Sequence, residues 1–477
     1  MLYWGPGPNV EVIDVEVCVI GAGYVGLVTS CSLVHLGHKV TVVEADKNKL
    51  GILNAGECPF FEPGVSELLK AHGKTDLLAF SDSLSDAVKK SEIIFICVGT
   101  PPLPSGEPDM SQVVGVAKQI GANLDATRKR IIVNKSTVPV GSGNWVEMLV
   151  NQGVQTVQTV PARSKADLPL FQVVSNPEFL REGSALHDTF YPDRIVIGSN
   201  DQGESVERMR ELYKPLIEQT FSPPEQAARP AGFGVVPFVV TDLASAEMIK
   251  YCANAFLAMK ISFANEMSGI CERVGADIKE VARGIGLDKR IGTQFLSAGV
   301  GWGGSCFGKD VHALIEVARE YTAPTPLLEA TIAVNKHQRH VAIKKLQEEL
   351  KILKGRVIGL MGLSFKPNTD DLRDAASLTI AATLLKMGAS VRAYDPVSME
   401  HCKQIHPGLA IEYCATVEEL AESADALVLV TEWAEFNRVD WTAIANSMKN
   451  ALMIDGRNFL VKEDLTNAGF AYRGIGV

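Results

Sequence analysis

The chain has 477 residues, 46% of them hydrophobic and 21% charged, with 46 Lys and Arg against 56 Asp and Glu for a formal net charge of −10. This length exceeds what one core supports and predicts two or three domains, and the ordinary globular balance excludes disordered and fibrous classes. An acidic chain with no run of Lys and Arg lacks the basic face that a phosphate backbone requires, so nucleic acid is excluded as a partner.

Residues 1–14, MLYWGPGPNVEVID, lack the basic start and apolar core of a signal peptide, and their Gly-Pro alternation predicts a loose tail. No stretch of 18 apolar residues follows, so no membrane span is expected. Val15 to Ile20 is a β-branched run entering GAGYVG, after which an apolar helical stretch to Leu36, Gly37 and the strand KVTVVEAD complete a βαβ unit. In that motif Gly21 makes the tight turn, Gly23 lets the backbone approach a pyrophosphate, and Gly26 permits close packing of helix on strand. Glu44 ends the second strand, where a carboxylate accepts from a ribose 2′-hydroxyl and repels a 2′-phosphate, so the expected cofactor is NAD rather than NADP. Lys47 and Lys49 either soften that repulsion or stand in solvent at the start of a helix.

Further on, NKSTVPVG follows the apolar run IIV, which places Ser136 and Thr137 at the carboxyl end of a parallel strand, where doubly wound sheets bind ligands. SNPEFLREG sets Glu178 and Glu182 four apart. If that turn is helical the two carboxylates share a face and raise one another's pKa, as general acid/base work requires, unless they merely open a solvated helix. Thr220 to Phe238 is rich in proline, alanine and glycine and reads as a surface loop. DLASAEMIKYCANAFLAMKISFANEMSGICERVGA then predicts one helix of over 30 residues, with Thr241 or Asp242 at its start and Gly275 at its end. It is apolar on nearly every side, so it is expected to be buried, in part at a subunit interface. Lys250 and Asn254 stand one turn apart on it and either satisfy backbone groups or line a site.

VGWGGSCFGKD surrounds Cys306 with glycines and follows it with Lys309 and Asp310. The nine cysteines include no C-x-x-C pair and no zinc-type spacing with histidine, so no disulfide framework and no metal is expected, and a reducing cytoplasm fits. The chain then repeats itself. KGRVIGLMGLSFKPNTDD is a strand running into a loop, and KMGASVRAYDPV and SADALVLVTEW echo HLGHKVTVVEAD and SEIIFICVGTP. This second half lacks G-x-G-x-x-G, so a different phosphate-bearing ligand is expected there, with Lys366 as a point charge. The fold class is therefore α/β, with two Rossmann-like doubly wound parallel-sheet domains joined by the long helix of an all-α middle domain. The expected boundaries are 15–238, 239–345 and 346–477.

A metal-free alcohol dehydrogenase has no use for a thiol. A thiol is needed once the aldehyde is carried further: the thiohemiacetal loses a second hydride, and water cleaves the resulting thioester. GAGYVG, VGTPP, STVPVG, SNPEFLREG, the long helix, RIG, GGSCFGKD, GLSFKPNTDDLRD and DGRN, in this order from Val15 onward, resemble the UDP-glucose/GDP-mannose dehydrogenase family. The resemblance implies three domains, a homodimer or higher oligomer built on the long helix, and two NAD-dependent oxidations of a nucleotide sugar to its uronate. UDP-glucose is the expected substrate, with GDP-mannose or a UDP-N-acetylhexosamine as the alternative.

It implies Cys306 as the covalent nucleophile. Lys250, Asn254 and Asp310 would handle protons, water and the oxyanion, Thr137 would position water, and Glu178 would serve thioester hydrolysis. Substrate contacts are implied for Glu178, Phe179, Leu180, Arg181, Glu182, Lys250, Asn254, Gly303, Phe365, Lys366 and Arg457, and for Arg290 reaching across a dimer. Cofactor contacts are implied for Gly21, Gly23, Tyr24, Val25, Gly26, Glu44, Lys49, Gly99, Thr100, Pro101, Ser136, Thr137, Glu182, Cys306, Lys309 and Arg373. Trp302 and Ser297 depart from the family pattern, and residues 151–172 and 220–238 are longer than in compact members.

Overall fold

Runs such as EVCVI and VIGLM are buried along nearly their whole length, as strands covered by helices on both faces must be. A computed structural model describes residues 15–103, 106–157, 170–201 and 203–477; the tail expected over 1–14 and most of the longer segment near 151–172 lie outside them. The chain divides into two compact units, Met1–Cys252 and Ala253–Val477.

The first unit carries β1 (Glu16–Ile20), β2 (Lys39–Val43), β3 (Leu78–Ser81), β4 (Ile93–Ile96), β5 (Arg130–Asn134), β6 (Phe171–Ser175), β7 (Ile195–Ser199) and β8 (Phe238–Thr241). Their order is β3-β2-β1-β4-β5-β6-β7-β8. All neighbours are parallel except β6 and β7, so the sheet departs at one pair from the all-parallel expectation. Alternation along β1 splits the core: Val17 and Val19 join one apolar layer, Cys18 and Ile20 the other. Over the second layer the helices Ser111–Asn123 and Ser142–Val157 cross with backbones nearly touching, since a Cβ at Gly121 would strike the Val150 carbonyl and one at Gly153 that of Lys118.

The second unit carries β9 (Val357–Met361), β10 (Ser390–Tyr394), β11 (Ile411–Tyr413), β12 (Ala426–Leu429), β13 (Leu452–Asp455) and β14 (Ala471–Arg473), in the order β11-β10-β9-β12-β13-β14. Its strand order repeats that of the first six strands of the other sheet, the doubly wound arrangement expected from the internal echo. The acid matching Glu44 is Asp395, and here it is fully buried. It accepts from the backbone N–H of Leu363, Ser364, Val397 and Ser398 and from the Trp433 indole. A carboxylate committed to its own loop cannot read a ribose, which agrees with the missing glycine fingerprint in this half.

The long helix is Leu243–Val274. Asp242 caps it by accepting from Ser245 N at 2.8 Å, and Gly275 ends it at φ +76°. Within the single chain the helix is not covered on every side: Phe256, Phe263 and Ile270, two turns apart in succession, are exposed. The segment 220–238 runs over the surface as expected, most of its residues exposed or half-buried, and is pinned there: Phe221, Ala227 and Val236 are buried members of the first unit's core, and Tyr191 Oη donates to Ala227 O at 2.7 Å. Its anchors are too widely spaced along the chain to show a period in the sequence. Among the described residues, no helix is long and apolar enough to cross a membrane, and no group of His, Cys, Asp and Glu could hold a metal ion.

Candidate active site

The glycine motif links β1 to the helix Tyr24–His35. Gly21 takes φ +101°, and a Cβ there would lie 2.8 Å from Cys97 O, so only glycine fits the turn. A Cβ at Gly26 would collide with the Gly21 carbonyl. Nothing lies within 4 Å of a Cβ placed on Gly23, and no side chain caps the helix, which leaves its first N–H groups open to an anion such as a pyrophosphate. Glu44 is set in place by Ala22 N at 3.1 Å and Asp46 N at 2.9 Å. Val25 packs on the core, and Tyr24 stacks on Phe60 at 4.0 Å while its hydroxyl donates to Phe61 O. Lys49 is exposed on the helix that Asp46 caps. These residues fit a dinucleotide.

The loops after β4 and β5 are tied together. Thr100 Oγ1 donates to Thr137 O at 2.8 Å and Ser136 Oγ to Val98 O at 2.7 Å, with Gly99 open to solvent and Pro101 O held by Asp109 N. Thr137 and Ser136 line a pocket with Asn134, Ser175, Glu247 and Lys250. Glu247, absent from the sequence reading, anchors this arrangement. Its carboxylate accepts from Gly141 N at 2.6 Å, Gly143 N at 2.8 Å and Ser175 Oγ at 2.9 Å, capping the helix Ser142–Val157 from the long helix. It is buried one turn before Lys250 on the same apolar stretch, where a charged residue needs partners just as Lys250 does.

SNPEFLREG is not helical between Ser175 and Gly183, which corrects the idea of two like charges raising one another's pKa on a shared helical face. Glu178 Oε1 instead accepts from Phe179 N at 2.7 Å and Leu180 N at 3.0 Å, and Oε2 lies 2.8 Å from Lys135 Nζ. Burial alone would raise this carboxyl, but the Lys135 ammonium and the Phe179 N–H hold it below its ordinary 4.5. Phe179 carries the Arg194 guanidinium at 3.8 Å on its ring and has Lys250 Nζ 5.3 Å from its centroid. Arg181 grips Asp188 through Nε and Nη2 at 2.9 and 2.7 Å, and Glu182 is half-buried. Glu62 secures the end of the loop by accepting from Gly183 N at 2.6 Å and Ala185 N at 2.8 Å.

In the second unit Cys306 is exposed at the N-terminus of the helix Phe307–Glu320, its Sγ 3.5 Å from Ser305 Oγ. Helix N-terminal N–H groups favour negative charge developing beside them. Asp310, one turn on, donates its N–H to Cys306 O and is 1% exposed, with Asn254 Nδ2 at 2.6 Å and Lys309 Nζ at 2.8 Å from its two oxygens. The glycines before Cys306 are required by contact: a Cβ at Gly303 would strike Asp374 O, and one at Gly304 would lie 2.8 Å from the Phe365 ring. Arg457 holds the same loops, donating to Gly301 O at 3.0 Å, Val430 O at 2.7 Å and Phe365 O at 3.2 Å. Lys366 Nζ stands 5.3 Å from the Phe365 centroid, Arg373 is bidentate with Asp371, and Arg290 is exposed and paired with Asp288. Trp302 is buried, its indole donating to Ser262 Oγ at 3.0 Å, and Ser297 is exposed.

Family models match along the chain. Residues 15–217 match the NAD binding domain of the UDP-glucose/GDP-mannose dehydrogenase family, 244–337 its central domain and 359–462 its UDP binding domain. A UDP-glucose 6-dehydrogenase of Bacillus subtilis is 41% identical over 461 residues, covering 97% of both chains. One from Rhizobium meliloti is 42% identical over 465 residues, covering 97% of this chain and 99% of its own. A solved UDP-glucose dehydrogenase structure from Pyrobaculum islandicum superposes with a TM-score of 0.85 at 34% identity, over 98% of this chain and 99% of that one.

Proposed function

This chain belongs to the UDP-glucose/GDP-mannose dehydrogenase family, and on that premise we propose that it oxidises the C6 alcohol of UDP-glucose to the carboxylate of UDP-glucuronate. The observation that carries the reading is an exposed thiol at a helix N-terminus, one turn from a buried Asp310 held by Asn254 and Lys309. NAD, when bound against Gly21, Gly23, Gly26 and Glu44, accepts the hydride of each oxidation. Lys250 stabilises the oxygen that loses its proton and then develops charge, and Asp310 and Asn254 hold the proton path. Cys306 Sγ adds to the aldehyde carbon as a thiolate, and the thiohemiacetal becomes a thioester on loss of the second hydride. Water, oriented by Thr137 and Glu178, adds to the acyl carbon and the C–S bond breaks with its electron pair on sulfur. In balance, alcohol and water become carboxylate, two hydrides and three protons.

The three regions 15–238, 239–345 and 346–477 take NAD binding, dimerisation and UDP-sugar binding respectively. Exposed Phe256, Phe263 and Ile270 provide the apolar seam for a second copy, with Arg290 directed to the neighbouring substrate. All nine cysteines are free, which suits a reducing cytoplasm.

NADH released per sugar consumed, measured over a panel of nucleotide sugars, tests the reading. Two per UDP-glucose is expected, and turnover with GDP-mannose or a UDP-N-acetylhexosamine alone would overturn the substrate. Cys306→Ser separates this chemistry from a one-step hydroxyacid dehydrogenase: uronate formation is lost here, whereas a one-step enzyme keeps its turnover.

A further inference from the structure

Lys135 directly follows β5 and is 6% exposed, an expensive place for an ammonium unless it is paired. Nζ lies 2.8 Å from Glu178 Oε2 and donates to Asn176 Oδ1 at 3.3 Å. That acceptor is itself fixed, because Tyr213 Oη donates to Asn176 Oδ1 at 2.7 Å and Asn176 Nδ2 donates to Val196 O at 3.0 Å. On its other side the Glu178 carboxylate is held by two backbone N–H groups. One oxygen is thus aimed by the loop, the other by a single buried cation.

A carboxylate buried without such a cation takes up a proton. Lys250, on the long helix, attracts Glu178 more weakly than Lys135 does. The remaining titratable groups facing the pair are Tyr213, on the helix Glu204–Glu218, and Cys97, after β4; burial pushes both up to about 12 and leaves them neutral near pH 7. Burial would lower Lys135, but the Glu178 carboxylate keeps it above its ordinary 10.5 and hence charged.

Resting on the reading of Glu178 in thioester hydrolysis, we infer that Lys135 is the positioning residue of that step: its ammonium fixes the Glu178 carboxylate as an anion aimed to orient the attacking water. The water oxygen bonds to the acyl carbon, its proton leaves through Glu178 to solvent, and the C–S bond breaks with its electron pair returning to Cys306. Fixing the anion lowers its basicity while keeping it ionised into the acid range. The acid limb of the pH profile therefore records the pair.

The test compares unmodified protein with Lys135→Met, Glu178→Gln and the double variant. Lys135→Met is expected to move the acid limb of kcat upward by one unit or more, so that its turnover begins to fall at a higher pH than that of the unmodified protein and recovers fully at pH 9. NAD affinity should stay within about threefold. The double variant should be no slower than Glu178→Gln alone. An unshifted limb, or losses that multiply in the double variant, overturns the inference. Urea unfolding of the same four proteins reads the pair without catalysis: removing both partners should harm the fold less than removing Lys135 alone, and additive losses count against the pairing. Should Lys135→Met not fold, the double variant, which leaves no unpaired charge, should still do so. Failure of the substrate reading appears separately, as absence of NADH formation by the unmodified protein.

Discussion

Asn254 donates from Nδ2 to Oδ2 of Asp310 at 2.6 Å, joining the long helix to the helix that Cys306 opens. With Lys309 on the other oxygen, a buried carboxylate has a donor at each atom and no access to bulk water. Asn254→Leu leaves one oxygen without its donor and is expected to destabilise the protein by about 1–3 kcal/mol. Asp310→Asn strips Lys309 of its anion and is expected to lower kcat by about 10²–10⁴-fold if Asp310 transfers protons in the reaction. Urea unfolding and initial NADH rates measure the two effects; an Asp310→Asn enzyme at full rate removes this residue from the chemistry.

Glu178 and Glu247 impose opposite pH dependences. Burial raises the Glu247 carboxyl above its ordinary 4.5, more than the Gly141, Ser175 and Gly143 donors lower it. The folded state then binds this proton more readily than the unfolded chain, so the Glu247 contribution to stability falls as pH rises from 4.5 through the raised folded value. Glu178, held below 4.5, contributes stability that is present above 4.5 and lost as pH falls through its depressed folded value. Unfolding free energies of Glu247→Gln and the unmodified protein, taken from pH 4 to 7, should differ by an amount that drifts against the unmodified protein as pH rises. A constant difference would show that Glu247 does not titrate in this window.

Two glycines of one motif should fail in different ways. Gly26→Ala drives a methyl into the Gly21 carbonyl and is expected to destabilise the first unit by about 1–3 kcal/mol, with NAD affinity falling alongside. Gly23→Ala meets nothing within 4 Å, at a φ of −80° that alanine accepts, so the fold should survive while the added methyl obstructs the pyrophosphate. Thermal unfolding together with fluorescence titration of NAD separates them. Equal NAD affinity in Gly23→Ala and the unmodified protein would move the phosphates away from this turn.

Phe263 is 48% exposed midway along the long helix, between the exposed Phe256 and Ile270. A charge in the middle of a self-complementary apolar seam appears twice across a two-fold axis. Phe263→Asp should therefore convert the proposed dimer to monomer at micromolar concentration, as read by light scattering after size exclusion. A monomeric unmodified protein, or a variant still dimeric, would relieve this helix of the interface.

What the sequence determined by itself was whatever is written in neighbouring residues. The strand-glycine-helix passage at Gly21 to Gly26, the carboxylate ending β2, the echo of one half in the other and the 32-residue helix are all set by backbone freedom and hydrophobic period, which act over a few turns of chain. A thiol among glycines was equally visible, because Gly303 and Gly304 are demanded by contacts that recur wherever a loop lies flat on another. The tertiary structure alone decided the electrostatics. Glu178 and Glu182 looked like a repelling pair because they are four apart; the chain instead bends after β6 and brings Lys135, from the neighbouring strand's end, onto Glu178. Glu247 beneath the helix Ser142–Val157 and Asn254 on Asp310 are pairings of the same kind. A buried charge takes its partner from whatever packing delivers within about 3 Å, and strand order and helix crossing, not spacing along the chain, determine what arrives there.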